Sequence, residues 1–361
     1  MNDIGELKQF VVVHARAQRI PSYASVLSAI EHDDGDRSGS WVDGWIRAAE
    51  RFERSGDLLS ACRAYNLARF PFVDGPARAE ALRRCVDTFD RWRKDHPSIA
   101  PLAVAHDGGT VRCWTAGLSR TDRKPLLLVM AGIVTVKEQW GPVLRQAARL
   151  GMAGLVAELP GVGENTAPYD EKSWRMIPAL LDAVADGADV SRTYAVTPSF
   201  AGHLALRAAV DDHRIRGVVA AGAPINAFFT DREWFGALPR VTVDTLAHLT
   251  GSPVAGLADR LRPWALTVDQ LDALDIPVAA AVSTRDEIIP PADRDILRRH
   301  VRQLSVLTND DVHGAPDHVA ETQLWTVASV LRMRAVRSPQ RAVINLAFRA
   351  ARVRGRLTRP R

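Results

Sequence analysis

The chain has 361 residues, of which 47% are hydrophobic and 25% charged, a globular composition with enough length for one large domain and an appended smaller one. Its formal charge of +5 points at first to nucleic acid, but no acid follows Glu321 and ten arginines lie between Arg332 and Arg361. The first 331 residues are therefore net negative, the basicity belongs to the tail, and no nucleic-acid partner is expected.

The first residues carry acids where a secretory leader carries bases, and the apolar run 10–13 is too short for a leader core. No run reaches the length of a membrane span, so no integral membrane segment is expected. Residues 1–97 read as a helical cap subdomain: 41–55, 57–70 and 76–96 each repeat apolar residues three and four apart. The break Pro71-Phe-Val-Asp-Gly-Pro76 joins two of these helices. Cys62, Cys85 and Cys113 form an odd set with no CxxC spacing, which predicts reduced thiols and a cytoplasmic location rather than disulfides or zinc. Neither a metal nor a cofactor is expected.

From residue 98 the period changes. Residues 102–106 and 110–116 read as paired strands about the turn Asp107-Gly108-Gly109. Apolar runs then alternate with helices: 126–131 before a helix over 138–150, followed by strands at 154–159, 193–197, 218–221, 278–283 and 303–307. Buried runs separated by helices imply a parallel sheet covered on both faces. Residues 98–335 are thus expected to form an α/β catalytic domain. About 225–275 is a helical insertion rich in Trp, Phe and Leu, read as a lid over the C-terminal edge of the sheet. Residues 336–361 are a basic tail with the pattern of an amphipathic helix, expected to be solvated or docked on the protein itself.

Residues 193–208 have the layout of a nucleophile elbow: strand, tight turn at Ser199, then a helix opened by small residues. Thr197 and Ala201 stand where the usual pattern has glycine. A serine nucleophile needs a base and an acid that orients the base. Asp286 follows the strand 278–283 and His313 follows 303–307, in the chain order serine, acid, histidine. Glu287 is the alternative acid. His318 is the alternative base, expected in the opening turn of the final helix, where an exposed histidine is commonplace. The backbone N–H groups of Phe200 and Ile133 are the expected oxyanion donors. The loop Glu158-Leu-Pro-Gly161-Val-Gly163-Glu164 lacks the third glycine of a dinucleotide fingerprint and the lysine of a phosphate loop.

With those residues in place, the chain resembles the FrsA-like α/β-hydrolases over residues 55–332, a group that includes 2,6-dihydroxypseudooxynicotine hydrolase and fungal polyketide-shortening hydrolases. The resemblance is carried by residues 61–70 with Phe72-Val-Asp-Gly-Pro76, by Val129-Met-Ala-Gly-Ile-Val-Thr-Val-Lys-Glu138, by Glu158-Leu-Pro-Gly-Val-Gly-Glu164, and by the surroundings of Ser199, Asp286 and His313. Glu158 stands where related chains often have Asp. The resemblance implies an α/β-hydrolase fold whose helical N-terminal part closes the site. It also implies hydrolysis of an ester, or of a C–C bond beside a ketone, in a hydrophobic small molecule. In C–C-cleaving members a further acid from the lid assists; Asp231 and Glu233 lie in that stretch. Acyl transfer, a cyclase or dehydratase reaction, and ligand binding without chemistry are the alternatives. A second copy of the chain is the one macromolecular partner considered.

Overall fold

Strand segments that are apolar at nearly every position end up in the middle of the sheet, where both faces are covered. The structure is a computed structural model and describes residues 2–335 and 339–358. Its strands are β1 (Ile99–His106), β2 (Gly109–Ala116), β3 (Pro125–Met130), β4 (Ala153–Ala157), β5 (Asp189–Val196), β6 (Ile215–Ala221), β7 (Val278–Ser283) and β8 (Leu304–Asn309). They form one sheet in the order β1-β2-β4-β3-β5-β6-β7-β8. From β4 onward the neighbours are parallel, whereas β1 and β2 form an antiparallel hairpin that joins through β2, also antiparallel, to β4. Every residue of β3 and β4 is buried, while β1 is largely exposed along its length, as an edge strand is. The hairpin turn is the pair Asp107 and Gly108, both at positive φ, a conformation whose twist matches that of the strands.

Five helices precede the sheet: α1 (Ile4–Ala17), α2 (Tyr23–Ala29), α3 (Trp41–Arg54), α4 (Leu58–Arg69) and α5 (Pro76–Lys94). Ser40 and Asp57 cap α3 and α4 through their side chains, and Pro76 opens α5 at a position that needs no N–H. Trp41, Trp45, Tyr65 and Phe70 are buried between these helices. The first two helices are absent from the periodicity reading. In α1 the buried stripe Leu7, Val11, Ala15 is spaced four apart, but the run Phe10-Val11-Val12-Val13 hides it by resembling a strand.

The helix expected over 138–150 is broken. Residues Lys137–Trp140 and Leu144–Arg149 are α-helical, with a 3₁₀ turn at Gly141–Val143 between them. Pro142 supplies no N–H, and a Cβ on Gly141 would stand 2.2 Å from the Phe89 ring of α5. Between β6 and β7 the chain forms short helices at Ala227–Thr230, Arg232–Gly236, Arg240–Thr250, Leu257–Leu261 and Val268–Asp272. Asp293 anchors their beginning: its buried carboxylate accepts the N–H groups of Ile225, Asn226, Ala227 and Phe228 at 2.6–3.3 Å.

A final helix, Pro339–Thr358, packs on Val319–Met333 and places Phe348 against the core, leaving Val343, Leu346 and Val353 exposed. Residues 336–338 and 359–361 of the expected tail lie outside the described residues. The three cysteines are free and buried. Among the described residues no helix is long and apolar enough to cross a membrane, and no group of three or more His, Cys, Asp or Glu is placed to hold a metal ion.

Candidate active site

Ser199 sits between β5 and the helix Phe200–Asp211 with φ 56° and ψ −139°, a backbone conformation that L-residues rarely adopt. Such strain persists where the surroundings over-determine it. Here the Ser199 N–H donates to the Ala221 carbonyl at 2.7 Å, and the Thr197 N–H donates to Val219 at 2.9 Å. Thr197 and Ala201 have no positive φ, so neither position demands glycine. The close approach falls instead on Gly202, whose Cβ would lie 2.7 Å from Ala223 and 2.8 Å from the Thr197 carbonyl. The elbow's packing glycine is therefore one residue later than the usual pattern has it.

Three side chains meet at the turn. Ser199 Oγ lies 3.3 Å from His313 Nε2, and His313 Nδ1 lies 3.0 and 3.1 Å from the two Asp286 oxygens. The Asp286 carboxylate also accepts from the Ile288 and Ile289 N–H groups, and the Glu287 carboxylate accepts the His313 backbone N–H at 2.9 Å. The His313 side chain is 15% exposed and that of Asp286 6%. Burial is the largest influence on His313 and lowers its pKa. The charge and hydrogen bond of Asp286, then Glu287, together outweigh it, so the net shift is upward from 6.5. His318 is not exposed as expected: it immediately precedes Val319–Met333 in a buried position, with Nδ1 2.8 Å from Asp311 rather than capping the helix.

Two glycines make room for this arrangement. A Cβ on Gly132 would lie 2.8 Å from Ser199 Cβ. Gly222, at φ 61°, lies under the His313–Asp286 pair, and a Cβ there would be 2.8 Å from His313 Cε1. Ile133 follows Gly132 in the loop after β3, and Phe200 is the first residue of the elbow helix. This loop is held from the N-terminal helices, which the sequence alone did not reveal. Buried Arg69 of α4 donates to the Val134 carbonyl at 2.5 Å and to Asn66 Oδ1.

The same loop is braced from below. Glu158, fully buried, accepts the Lys137 and Glu164 N–H groups at 3.0 Å each, while Lys137 Nζ lies 2.7 Å from Glu164, 2.8 Å from Glu138 and 3.7 Å from Glu158. Burial pushes the Glu158 carboxyl up, against the pull of Lys137. Removing the Glu158 carboxylate leaves the Lys137 and Glu164 N–H donors without their acceptor. Glu158→Ala is accordingly expected to cost about 2–4 kcal/mol, read as a lower urea midpoint of unfolding.

Ser199 and His313 open into a cavity of about 360 Å³ whose lining is mostly apolar and contains no Asp, Glu, Lys or Arg. Helix α1 forms part of its wall through Phe10, Val13, His14 and Ala17. It is pinned at three places: Val13 fills the space beside Gly314, Glu6 caps the N–H groups of Arg240 and Val241, and Arg16 pairs with Asp317. Burial, then Arg69 and His313, bring the His14 pKa down to about 4. Asp231 and Glu233 are not brought into this constellation. Both are exposed and absent from the cavity lining, and Asp231 caps Arg232–Gly236 by accepting from the Trp234 N–H.

Comparison with known proteins bears on the family and the fold. Esterase FrsA of Vibrio cholerae serotype O1 is 24% identical over 286 residues, covering 73% of this chain and 69% of that one. The Citrobacter koseri esterase FrsA is 24% identical over 236 residues, covering 60% and 57%. Among solved structures, AbyA5 is 55% identical with a TM-score of 0.93, covering 97% of this chain and 99% of that one. The 2,6-dihydroxy-pseudo-oxynicotine hydrolase shares the fold at 16% identity, with a TM-score of 0.72 and coverage of 90% and 96%. The family described as esterase FrsA-like matches residues 30–300. The chain therefore belongs to the FrsA-like esterase family and is an enzyme of the α/β-hydrolase fold.

Proposed function

We propose that the protein is a serine hydrolase that cleaves a carboxylic ester of a hydrophobic small molecule, with Ser199 as nucleophile, His313 as base and Asp286 orienting it. The observation that carries this reading is the chain of contacts from Ser199 Oγ through the His313 ring to Asp286. His313 takes the serine proton as the carbonyl is attacked and returns it to the leaving alcohol, and water then repeats the sequence on the acyl-enzyme. The N–H groups of Ile133 and Phe200 receive the oxyanion, the latter aided by its place at the start of a helix. Ester cleavage is favoured over C–C cleavage because a departing carbanion calls for an acid in addition to the His313 imidazolium. The cavity lining contains no carboxyl group, and Asp231 and Glu233 face away from it.

The test is turnover of p-nitrophenyl butyrate beside an aryl β-diketone; hydrolysis of the first and not the second is expected. The pH profile of kcat/KM should show an acid limb, because the base must be neutral. With the His313 pKa raised, the rate falls as pH drops through a value above 6.5. His14, neutral above its value of about 4, contributes no second limb in that range. An acid limb centred below 6.5 would contradict the assignment of His313.

A second reading follows from the lining, which is mostly apolar and so favours the exclusion of an attacking water. In it the enzyme carries out acyl transfer or a cyclase/dehydratase reaction, with His313 as base. Loss of turnover in Ser199→Ala separates the covalent routes from a dehydratase that needs only the histidine. Three free, buried cysteines support a reducing, cytoplasmic setting.

A further inference from the structure

The cavity does not end beneath Ser199. It continues down one face of the sheet, between the helix Val319–Met333 and the short helix Leu144–Arg149. Val319, Thr322, Thr326 and Val330 line it from one side. Their spacing places them along a single stripe of the helix, and eleven residues of rise make that stripe about 16 Å long. The floor is the sheet itself, where Leu127 and Val129 of β3 point to the same face two residues apart.

The helix after β3, which flanks this cleft, is broken at Gly141 and Pro142. Only six residues, Leu144–Arg149, remain to cover this part of the sheet. At the far end Arg334 Nη1 donates to the Leu150 carbonyl at 2.5 Å, tying together the ends of the two flanking helices. No Asp, Glu, Lys or Arg lines this cleft, so a charged group lying along the helix would find no ion-pair partner.

We propose that this cleft is an acyl-chain subsite: the substrate carries a linear, uncharged, mainly apolar chain that lies along Val319–Met333 with its reactive carbonyl at Ser199. The inference rests on the reading of Ser199 as nucleophile and adds to it the class of acyl group. An extended chain advances roughly 1.2 Å per bond, so the stripe accommodates about a dozen chain atoms.

A series of p-nitrophenyl esters from acetate to decanoate tests this on the full-length protein. The expected kcat/KM rises with chain length, decanoate exceeding butyrate at least tenfold. Val330→Trp, near the closed end, should remove the gain for decanoate and keep that for hexanoate; Thr326→Trp, nearer the serine, should remove both. A flat or falling series in the wild type, or a profile that neither substitution alters, would overturn the subsite. Should no ester be turned over, the hydrolase reading fails, and calorimetric binding of decanoic against butyric acid to the wild type decides the subsite by itself. At least tenfold tighter binding of decanoic acid is expected, and equal affinities would overturn the proposal.

Discussion

Ser199→Ala is expected to lower kcat for any ester substrate by about 10⁴-fold or more while leaving the fold intact. The residual rate would come from the oxyanion N–H groups and from binding alone. Alanine keeps the Cβ of Ser199, so the contact with Gly132 is undisturbed, and the backbone bond from residue 199 to Ala221 survives. A matching thermal midpoint and a matching affinity for a non-hydrolysable ligand would localise the loss to chemistry. Turnover within tenfold of wild type would remove Ser199 from the mechanism.

Gly222→Ala should be nearly as damaging, although the residue carries no chemistry. Its φ of 61° is a left-handed conformation that costs an L-residue roughly 1–2 kcal/mol. The larger effect is steric. The new methyl would stand 2.8 Å from His313 Cε1 and 3.1 Å from Nδ1, so the ring must move away from Ser199 or from Asp286. Displacement of a reacting group by an ångström costs on the order of 10²-fold in rate. The expected outcome is a fall of at least that size in kcat with a modest change in stability. Gly236→Ala is the control, since nothing lies within 4 Å of a Cβ there. If Gly222→Ala retained full activity, the His313–Asp286 pair would not need the geometry described.

What could be read from the sequence was whatever depends on local pattern. The fully apolar runs of β3 and β4 declare buried parallel strands, and Ser199, Asp286 and His313 each follow a strand in an order that the fold brings together. The rest depends on distant partners. Nothing around Gly222 or Gly132 shows that a histidine or a serine will lie within 3 Å, because those neighbours come from other strands. Arg69 reads as an ordinary basic residue at the end of α4 until its contact with Val134 is seen. Helix α1 was hidden by three consecutive valines, and with it went His14 and the wall it builds. The lid acids lie in the expected stretch, but both are exposed and outside the cavity lining, with Asp231 capping a short helix.

Activation of Ser199 by His313 predicts that a fluorophosphonate probe modifies this one serine. After reaction with the native protein and proteolysis, mass spectrometry should find the adduct on the peptide containing Ser199, and His313→Ala should abolish it. Labelling at another serine, or a folded protein that stays unmodified by a probe small enough for the cavity, would contradict the assignment.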